Sequence, residues 1–425
     1  MEFLIRKIRR HFMSFSGIGT SVRFVADMIV TKVIALLLGT EGMALLGNLK
    51  NAVTSMKTIA TLGLFDGVVQ KVLVVKDDKE EMKALLSSAY FICFVVTMVL
   101  SAWLYFDPVF WNDVIFGKPY DFSYIFKQLG IALSFYGVNV LCTSIVKGFS
   151  KYKVYILLNM VGSLLGLFIT LILVWEFRLE GAFIAIVLNP AISLFVTIVI
   201  ISNQKNFAKL LWANRISKKY IKQLAPYAII GILSGAIFPF VKINIRNQIA
   251  SLYGMKTAGY WEAMQQISDH YWLFFIGSLT VYISTKLRVR YAKDTFRDVV
   301  EAYLKEIMPF VAGCFLIIFV FKKEIISFVL SVDFMPMEAV FKWQLIGDFL
   351  KMITLVFSYQ LVARGWFMQY VVIELISVAI FYGSSVFLIN EYSFVGGAMA
   401  YTLYAACTFL FTVLLFKDVF IIRKN

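Results

Sequence analysis

Long runs of apolar residues, each about as long as a membrane is thick, constrain this chain more than any other feature. A helix needs about 20 mostly apolar residues to cross a bilayer, because it rises about 1.5 Å per residue through a hydrocarbon core of about 30 Å. Such runs recur along the whole chain and predict an all-α polytopic membrane protein with twelve transmembrane helices. The predicted spans cover residues 15–38, 43–70, 84–106, 124–146, 154–175, 181–202, 223–249, 257–285, 303–321, 343–363, 367–389 and 393–416.

The composition agrees with a membrane protein. Of the 425 residues, 60% are hydrophobic and only 16% are charged, whereas soluble domains carry about a quarter of charged residues. The net charge of +15 comes from lysines and arginines concentrated in alternate loops, which is typical of cytoplasmic loops and predicts that both termini are cytoplasmic. The cysteines lie in apolar runs without CxxC spacing and only two histidines occur, so no metal site is predicted.

Two short matches indicate that the chain is a duplication. GMALLGN, which begins at Gly42, recurs as GMKTAGY at Gly254, an offset of 212 residues. Lys147–Gly148 in IVKGF is echoed by Arg364–Gly365 in LVARGW, an offset of 217. An even number of helices per half makes the repeats parallel, with a pseudo-two-fold axis along the membrane normal. The predicted organisation is an N-terminal six-helix lobe over residues 1–202, a basic cytoplasmic linker over 203–222 and a C-terminal six-helix lobe over 223–425.

Several predicted spans contain cations, although a charge at the bilayer centre costs about 2.5–3.5 kcal/mol even on a lenient scale. At about 100° per residue, Lys50 and Lys57 share one face of the second span, about 10 Å apart along its axis. Lys242 and Arg246 are four residues apart on the seventh span, where like charges repel unless an anion lies between them. These four residues, with Arg23 on the first span, are the predicted cationic lining of a substrate cavity.

Carboxyl groups inside the predicted spans indicate ion coupling, because protonation or Na⁺ binding at a buried carboxylate favours one conformation. Structural explanations remain open: Arg23–Asp27 and Asp348–Lys351 are spaced as pairs within a helix, and lysines near span ends can snorkel to the interface. His270 is either a proton relay or a structural histidine. The ion-coupling candidates are Asp66, Asp269, Asp348 and Glu374.

The offset of 212 residues further predicts a contrast of charge between the halves. At this offset, Lys50 and Lys57 correspond to Glu262 and Asp269. The expected cavity therefore has one half that binds anions and another that couples ions.

Enzyme motifs do not occur in the sequence. It contains no Gly-rich phosphate loop, no HExxH and no GxSxG nucleophile elbow. A transporter without a cofactor is therefore predicted, with H⁺ or Na⁺ as the candidate coupling ion.

Three segments carry a resemblance to a known family: GNLKNAVTSMKTIATLGLFDGVVQKV from Gly47, WEAMQQISDHY from Trp261 and FKWQLIGDFLKM from Phe341. Over nearly its whole length the chain resembles the Wzx-type flippases of the multidrug/oligosaccharidyl-lipid/polysaccharide exporter superfamily, in particular those for enterobacterial common antigen and O-antigen precursors. The resemblance implies two six-helix lobes that alternate between inward-open and outward-open states. It also implies a cationic lumen for the pyrophosphate and sugar, with matching basic positions at Lys50 and Arg246.

The expected function is the flipping of an undecaprenyl-pyrophosphate-linked oligosaccharide from the cytoplasmic to the periplasmic leaflet of the bacterial inner membrane. Asn48, Asn51 and Gln265 are the candidate sugar contacts. Membrane lipids and the polymerase and chain-length proteins of the same pathway are candidate partners, and nucleic acid is not. The alternatives are an ion-coupled drug exporter of the same superfamily, a lipid II flippase, which typically has fourteen helices, and a membrane-embedded glycan polymerase or scaffold.

Overall fold

Helices make up almost all of the computed structural model, which describes residues 15–75, 77–202, 216–287 and 293–417. No β-strand occurs within these ranges, so the all-α prediction is confirmed. Both chain ends and residues 203–215 of the predicted linker lie outside the described residues. The helices of the first half are α1 (Phe15–Thr61), α2 (Phe65–Val75), α3 (Lys79–Phe106), α4 (Pro108–Phe116), α5 (Ser123–Gly148) and α6 (Tyr152–Ser202).

The second half begins with a long helix that contains a π-helical segment, Leu233–Ile237, between α7 (Lys218–Ile232) and α8 (Phe238–Tyr253). A second π segment, Tyr303–Ile307, and a 3₁₀ segment, Val332–Val340, occur further on. The remaining helices are α9 (Met255–Leu287), α10 (Lys293–Ala302), α11 (Met308–Val320), α12 (Lys322–Val329), α13 (Phe341–Ala363), α14 (Phe367–Tyr392) and α15 (Phe394–Leu415).

Eight segments of the described chain are long and apolar enough to cross a membrane, so the protein is a multi-pass membrane protein. One of them, Tyr152–Ser202, is 51 residues long and holds two of the predicted spans. By contrast, α1 and α9 are not among the eight, because charged and amide side chains interrupt their apolar runs.

Single residues replace two of the predicted loops. α1 is interrupted at Gly39 (φ 65°, ψ −163°) and α6 at Arg178 (φ 52°, ψ −123°), and such dihedrals cannot continue a right-handed helix. After Arg178 the chain folds back on itself, since a Cβ added to Gly181 would collide with the carbonyl oxygen of Leu173. α6 therefore contains two antiparallel segments joined by a minimal turn, whereas α1 shows an interruption at Gly39.

The predicted second span, 43–70, is not one continuous helix. α1 ends at Thr61, and Leu62 (φ 49°) and Gly63 (φ 59°) adopt left-handed dihedrals before α2 begins. Lys50 and Lys57 therefore share one face of a helix as predicted, whereas Asp66, predicted within the same span, lies on the separate helix α2.

The backbone repeats with a constant offset of 215 residues. Left-handed residues recur at this spacing in three turns, as Gly39 and Gly254, Ser150 and Gly365, and Arg178 and Ser393. Helix boundaries follow the same offset: α5 and α13 end at 148 and 363, and α6 and α14 begin at 152 and 367.

The offsets of 212 and 217 were therefore wrong by two or three residues, because a short apolar match can slip by about one helical turn without losing its pattern. In the corrected register, Lys50 and Lys57 correspond to Gln265 and Trp272. The predicted residue-by-residue contrast with Glu262 and Asp269 is wrong.

The described residues fall into two compact units. The N-terminal unit comprises Val25–Leu38 and Leu45–Asn247, and the C-terminal unit comprises Met1–Phe24, Gly39–Ala44 and Gln248–Asn425. A core of apolar residues from α2, α3, α5, α6 and α7 fills the N-terminal unit, among them Val68, Leu85 and Ile145. In the C-terminal unit, α15 packs against both α13 and α14. The predicted lobe boundaries at residues 202 and 223 stay a prediction.

Candidate substrate-binding and ion-coupling residues

Two lysines lie on one face of the second part of α1, in the N-terminal unit. Lys50 is exposed and Lys57 is half-buried, with its Nζ atom 5.0 Å from the ring centroid of Tyr136 on α5. Neither lysine forms an ion pair with a side chain in the described part of the chain. The structure thus presents two cations, about 10 Å apart along the helix, without a described counter-ion.

The two cations on α8 differ from each other in their environment. Lys242 is half-buried, and its Nζ atom lies 5.3 Å from the ring centroid of Phe238. Arg246 is completely buried and donates from its NH1 group to Oδ1 of Asn48 at 2.5 Å. Lys242 is therefore accessible to an anion in this structure, whereas Arg246 is held inside the unit.

Asn48 connects three segments of the N-terminal unit. Its fully buried side chain accepts from Arg246 and donates to the carbonyl oxygen of Ile115 at 2.8 Å and to Oδ1 of Asn247 at 2.7 Å. Asn247 also donates to the Ile115 carbonyl at 3.2 Å. The network joins α1 to α8 and to the end of α4. Asn51 is only half-buried, and the sugar contacts predicted for both asparagines stay a prediction.

Asp66 and Lys147 form a pair at the ends of α2 and α5. Their Oδ1 and Nζ atoms are 3.7 Å apart, and the lysine Nζ lies 4.8 Å from the ring centroid of Phe65 and 5.6 Å from that of Tyr155. Because Asp66 is exposed, this pair contributes little stability, and the coupling role of Asp66 stays a prediction. The predicted cavity residue Arg23 is exposed on α1, in the C-terminal unit.

Arg364, at the end of α13, has a setting similar to that of Lys147. Its guanidinium carbon lies 5.7, 5.2 and 5.5 Å from the ring centroids of Phe296, Trp366 and Phe416, respectively. The match of IVKGF with LVARGW indicates both cations and includes Trp366, but Phe65, Phe296 and Phe416 come from distant segments and carry no local signal.

Asp348 is the most densely hydrogen-bonded carboxylate described in the C-terminal unit. It is completely buried on α13 and accepts five hydrogen bonds. These come from Ser268 (2.7 Å), Trp272 (2.8 Å), Gln344 (3.1 Å), Tyr401 (2.7 Å) and Tyr271. The cluster satisfies the carboxylate oxygens of Asp348 and joins α9, α13 and α15.

Glu374 belongs to a separate trio in the same unit. Tyr404 donates to its Oε1 atom at 2.5 Å, and Lys351 donates to the Tyr404 hydroxyl at 2.6 Å. The Lys351 Nζ atom is 4.0 Å from Glu374 Oε1. The predicted pair of Asp348 with Lys351 is therefore wrong: the lysine pairs with an acid on α14, a partner that spacing along one helix cannot indicate.

The polar face of α9 holds the remaining predicted residues. Gln265 is buried and donates to Gln344 at 2.8 Å. Glu262 is also buried and accepts from Gln266 at 3.2 Å, whereas Asp269 is exposed. The His270 ring contacts the backbone carbonyl of Gln266 through Nδ1, which gives it a structural contact.

Comparisons with known proteins bear on this arrangement. A family model described as polysaccharide biosynthesis protein matches residues 13–285. The proteins named lipid III flippase in Escherichia coli (strain K12) and Shigella flexneri are each 26% identical over 397 residues, which is 91% of this chain and 93% of theirs.

Solved structures of similar fold include an inward-facing multidrug resistance MATE family transporter of the MOP superfamily, with a TM-score of 0.77 at 12% identity, covering 94% of this chain and 95% of that one. The lipid II flippase MurJ, in an inward closed conformation, gives a TM-score of 0.75 at 16% identity and covers 95% and 87%. Together these matches confirm the resemblance to polysaccharide flippases that the three sequence segments predict.

Proposed function

The chain belongs to the polysaccharide biosynthesis protein family, and from this premise we propose that it flips an undecaprenyl-pyrophosphate-linked oligosaccharide across the bacterial inner membrane. The direction is from the cytoplasmic to the periplasmic leaflet, by alternating access. Its relatives named lipid III flippase support a lipid-linked substrate. The protein acts as a transporter, and the polymerase and chain-length proteins of the pathway are candidate partners.

One observation carries this proposal: cations without a described counter-ion lie on α1 and α8, in the N-terminal unit. Lys50, Lys57 and Lys242 are exposed or half-buried, and none of them forms an ion pair with a residue that the structure describes. A charge at membrane depth is costly, so such lysines are retained where an anion binds. We assign the pyrophosphate to these three lysines, through charge-assisted hydrogen bonds.

The same proposal includes the arrangement of twelve helices in two six-helix lobes. It is supported by the constant 215-residue offset of turns and helix boundaries, because a repeat of six spans returns the chain to its starting side of the membrane. Arg246 and Asn48 then have a positioning role, since their network joins α1 to α8.

Ion coupling is proposed for the C-terminal unit. Protonation or Na⁺ binding at Glu374 would remove its attraction for Lys351, which shares the Tyr404 hydroxyl with it. Asp348 already accepts five hydrogen bonds, so most of its acceptor capacity is used, and we assign it a positioning role.

The experiment that tests the function is transport by the Lys50→Ala/Lys57→Ala variant. Each charge-assisted hydrogen bond contributes about 1.5–3 kcal/mol, so the loss of both lysines should lower the rate of flipping at least about tenfold. The measurement is the fraction of undecaprenyl-pyrophosphate oligosaccharide that reaches the outer leaflet of proteoliposomes, together with accumulation of this lipid on the cytoplasmic leaflet in cells.

Two controls make the result specific. Lys50→Arg/Lys57→Arg keeps both charges, and Lys71→Ala removes a half-buried lysine from the separate helix α2, so both variants should flip at nearly the wild-type rate. Normal flipping by the double alanine variant at equal protein level would contradict the proposal. Export of organic cations without flipping would favour the drug-exporter alternative.

A further inference from the structure

A cavity of about 650 Å³ lies in the N-terminal unit, between α3 and α5. Its walls are mostly apolar and include Phe91, Phe94 and Met98 on α3, and Val138 on α5. These four side chains are also exposed on the surface of the unit, with Phe94 61% exposed. In a membrane protein, such a surface faces the lipid chains, so the cavity is open to the bilayer.

The end of α1 lies directly behind residues that line this groove. Cys93 and Thr97, which both line it, contact the carbonyl oxygens of Thr61 at 3.7 Å and Ala60 at 3.0 Å. These two carbonyls belong to the last turn of α1, directly before the break at residues 62–64. A molecule in the groove would therefore lie against the point where this helix ends.

The groove is closed at one end by the close approach of α3 and α5. A Cβ added to Gly130 would lie 2.8 Å from the carbonyl oxygen of Ser101, and one added to Gly137 would lie 3.3 Å from Oγ1 of Thr97. From Met98 to Ser87, at the other end, α3 rises about 16 Å, or about half of the hydrocarbon core. The groove thus has the length of a single leaflet.

Charged residues lie at the open end of the groove, where Lys219 of α7 pairs with Glu81 of α3 at 3.0 Å. Ile216 lines the groove there, and the backbone N–H of Ser217 donates to Ser88 at 2.8 Å, which fixes the start of α7 against α3. Lys218 and Lys222 follow on the first turns of α7 and are exposed. A single apolar chain with a strongly anionic headgroup matches this combination better than a zwitterionic phospholipid does, because two lysines complement two phosphates.

We propose that the groove between α3 and α5 binds the polyisoprenoid chain of a pyrophosphate-linked lipid, with Lys218 and Lys222 at its pyrophosphate. This inference rests on the proposed function, since it names the place where the substrate docks from the leaflet before its headgroup reaches the lysines of α1. The bound chain lies behind the end of α1, next to the helix break.

The test measures binding of undecaprenyl pyrophosphate to the full-length protein by native mass spectrometry from nanodiscs. Ser134→Trp places an indole in the groove and should reduce retention of this probe about tenfold. Ile131→Trp, one turn away on the exposed face of α5 and outside the groove, should retain the probe as the wild type does. Lys218→Glu/Lys222→Glu should weaken binding of the pyrophosphate but not of undecaprenol, which has no charge.

Equal retention by Ser134→Trp and wild type would overturn the proposal, and so would displacement of the probe by equimolar phosphatidylglycerol, which would identify a groove for bulk lipid. Failure of the groove and failure of the proposed function are distinguishable. Normal flipping together with unchanged probe binding in Ser134→Trp rejects only the groove. Groove-dependent binding in a wild type that flips no oligosaccharide rejects only the function.

Discussion

Polar side chains at membrane depth differ in whether the protein itself satisfies them. Asn48 and Asp348 are completely buried and have several hydrogen-bond partners each, which is expected where an unsatisfied group costs about 1–3 kcal/mol. Lys50 and Lys57 lie on the same helix as Asn48 but contact at most an aromatic ring among the described residues. The first group stabilises the fold, and the second is available to a substrate.

Glu374→Gln tests the proposed coupling at the level of one side chain. The amide can still accept from Tyr404, but it no longer offers a charge to Lys351. We expect the ratio of flipping rates with and without a proton or sodium gradient to fall to about 1. Stability should also fall by about 1–3 kcal/mol, visible as a lower melting temperature, because a largely buried ammonium loses its counter-charge.

The control for this prediction is Glu262→Gln, which neutralises another buried acid of the same unit that accepts a hydrogen bond from the amide of Gln266. This variant should keep the gradient dependence of the wild type. The coupling assignment would be refuted by a Glu374→Gln protein whose flipping responds to the gradients as the wild type does, or by a wild type that responds to neither gradient.

At the scale of elements, the turn between α1 and α2 approaches the end of α7 through glycine. A Cβ added to Gly231 would lie 2.6 Å from the Cα atom of Gly63, so the two backbones are in direct contact. The neighbouring Gly235, in the π segment, leaves room for Thr58, since its added Cβ would lie 2.6 Å from Oγ1 of that residue. The turn after Thr61 and the π segment after α7 therefore adjoin the same glycine contact. Both chain segments depart from regular helical geometry there.

Gly231→Ala should disturb this contact. The added methyl group has no space against the Gly63 backbone, and overpacking of this kind costs about 1–3 kcal/mol. We expect a lower melting temperature in detergent, measured by scanning fluorimetry, and a reduced flipping rate.

Gly162→Ala, on α6 of the same unit, is the matched control, because its Cβ would meet nothing within 4 Å. It should leave stability unchanged or raise it by about 0.4–1 kcal/mol, since alanine restricts the unfolded chain. Equal melting temperatures for Gly231→Ala and the wild type would show that the glycine contact is not tightly packed.

Over the whole molecule, the apolar runs predict the helical class and the approximate positions of the eight segments that are long and apolar enough to span, because length and hydrophobicity decide which segments enter a membrane. They do not predict contacts such as Arg246 with Asn48, which are 198 residues apart, or the pairing of Lys351 with Glu374. Nor do they show the break after Thr61, where Gly63 is the one local signal and Leu62, with a left-handed φ, gives none. Local patterns determine the helices here, whereas long-range packing determines which side chains contact each other.

The offset of 215 residues makes a prediction about topology, because equivalent residues of two parallel six-span repeats must lie on the same side of the membrane. Lys153 and Met368 are equivalent at this offset, as are Glu176 and Glu391, and all four are exposed near helix ends.

Each is replaced by cysteine in a background lacking the native cysteines and is labelled in whole cells with a membrane-impermeant maleimide. Glu176→Cys and Glu391→Cys should react from the periplasm, whereas Lys153→Cys and Met368→Cys should react only after lysis, given cytoplasmic termini. If the members of either pair reacted from opposite sides, the parallel repeat would be excluded and each half would contain an odd number of spans. If both pairs reacted with reversed sidedness, the repeat would stand and only the orientation inferred from the basic loops would be wrong.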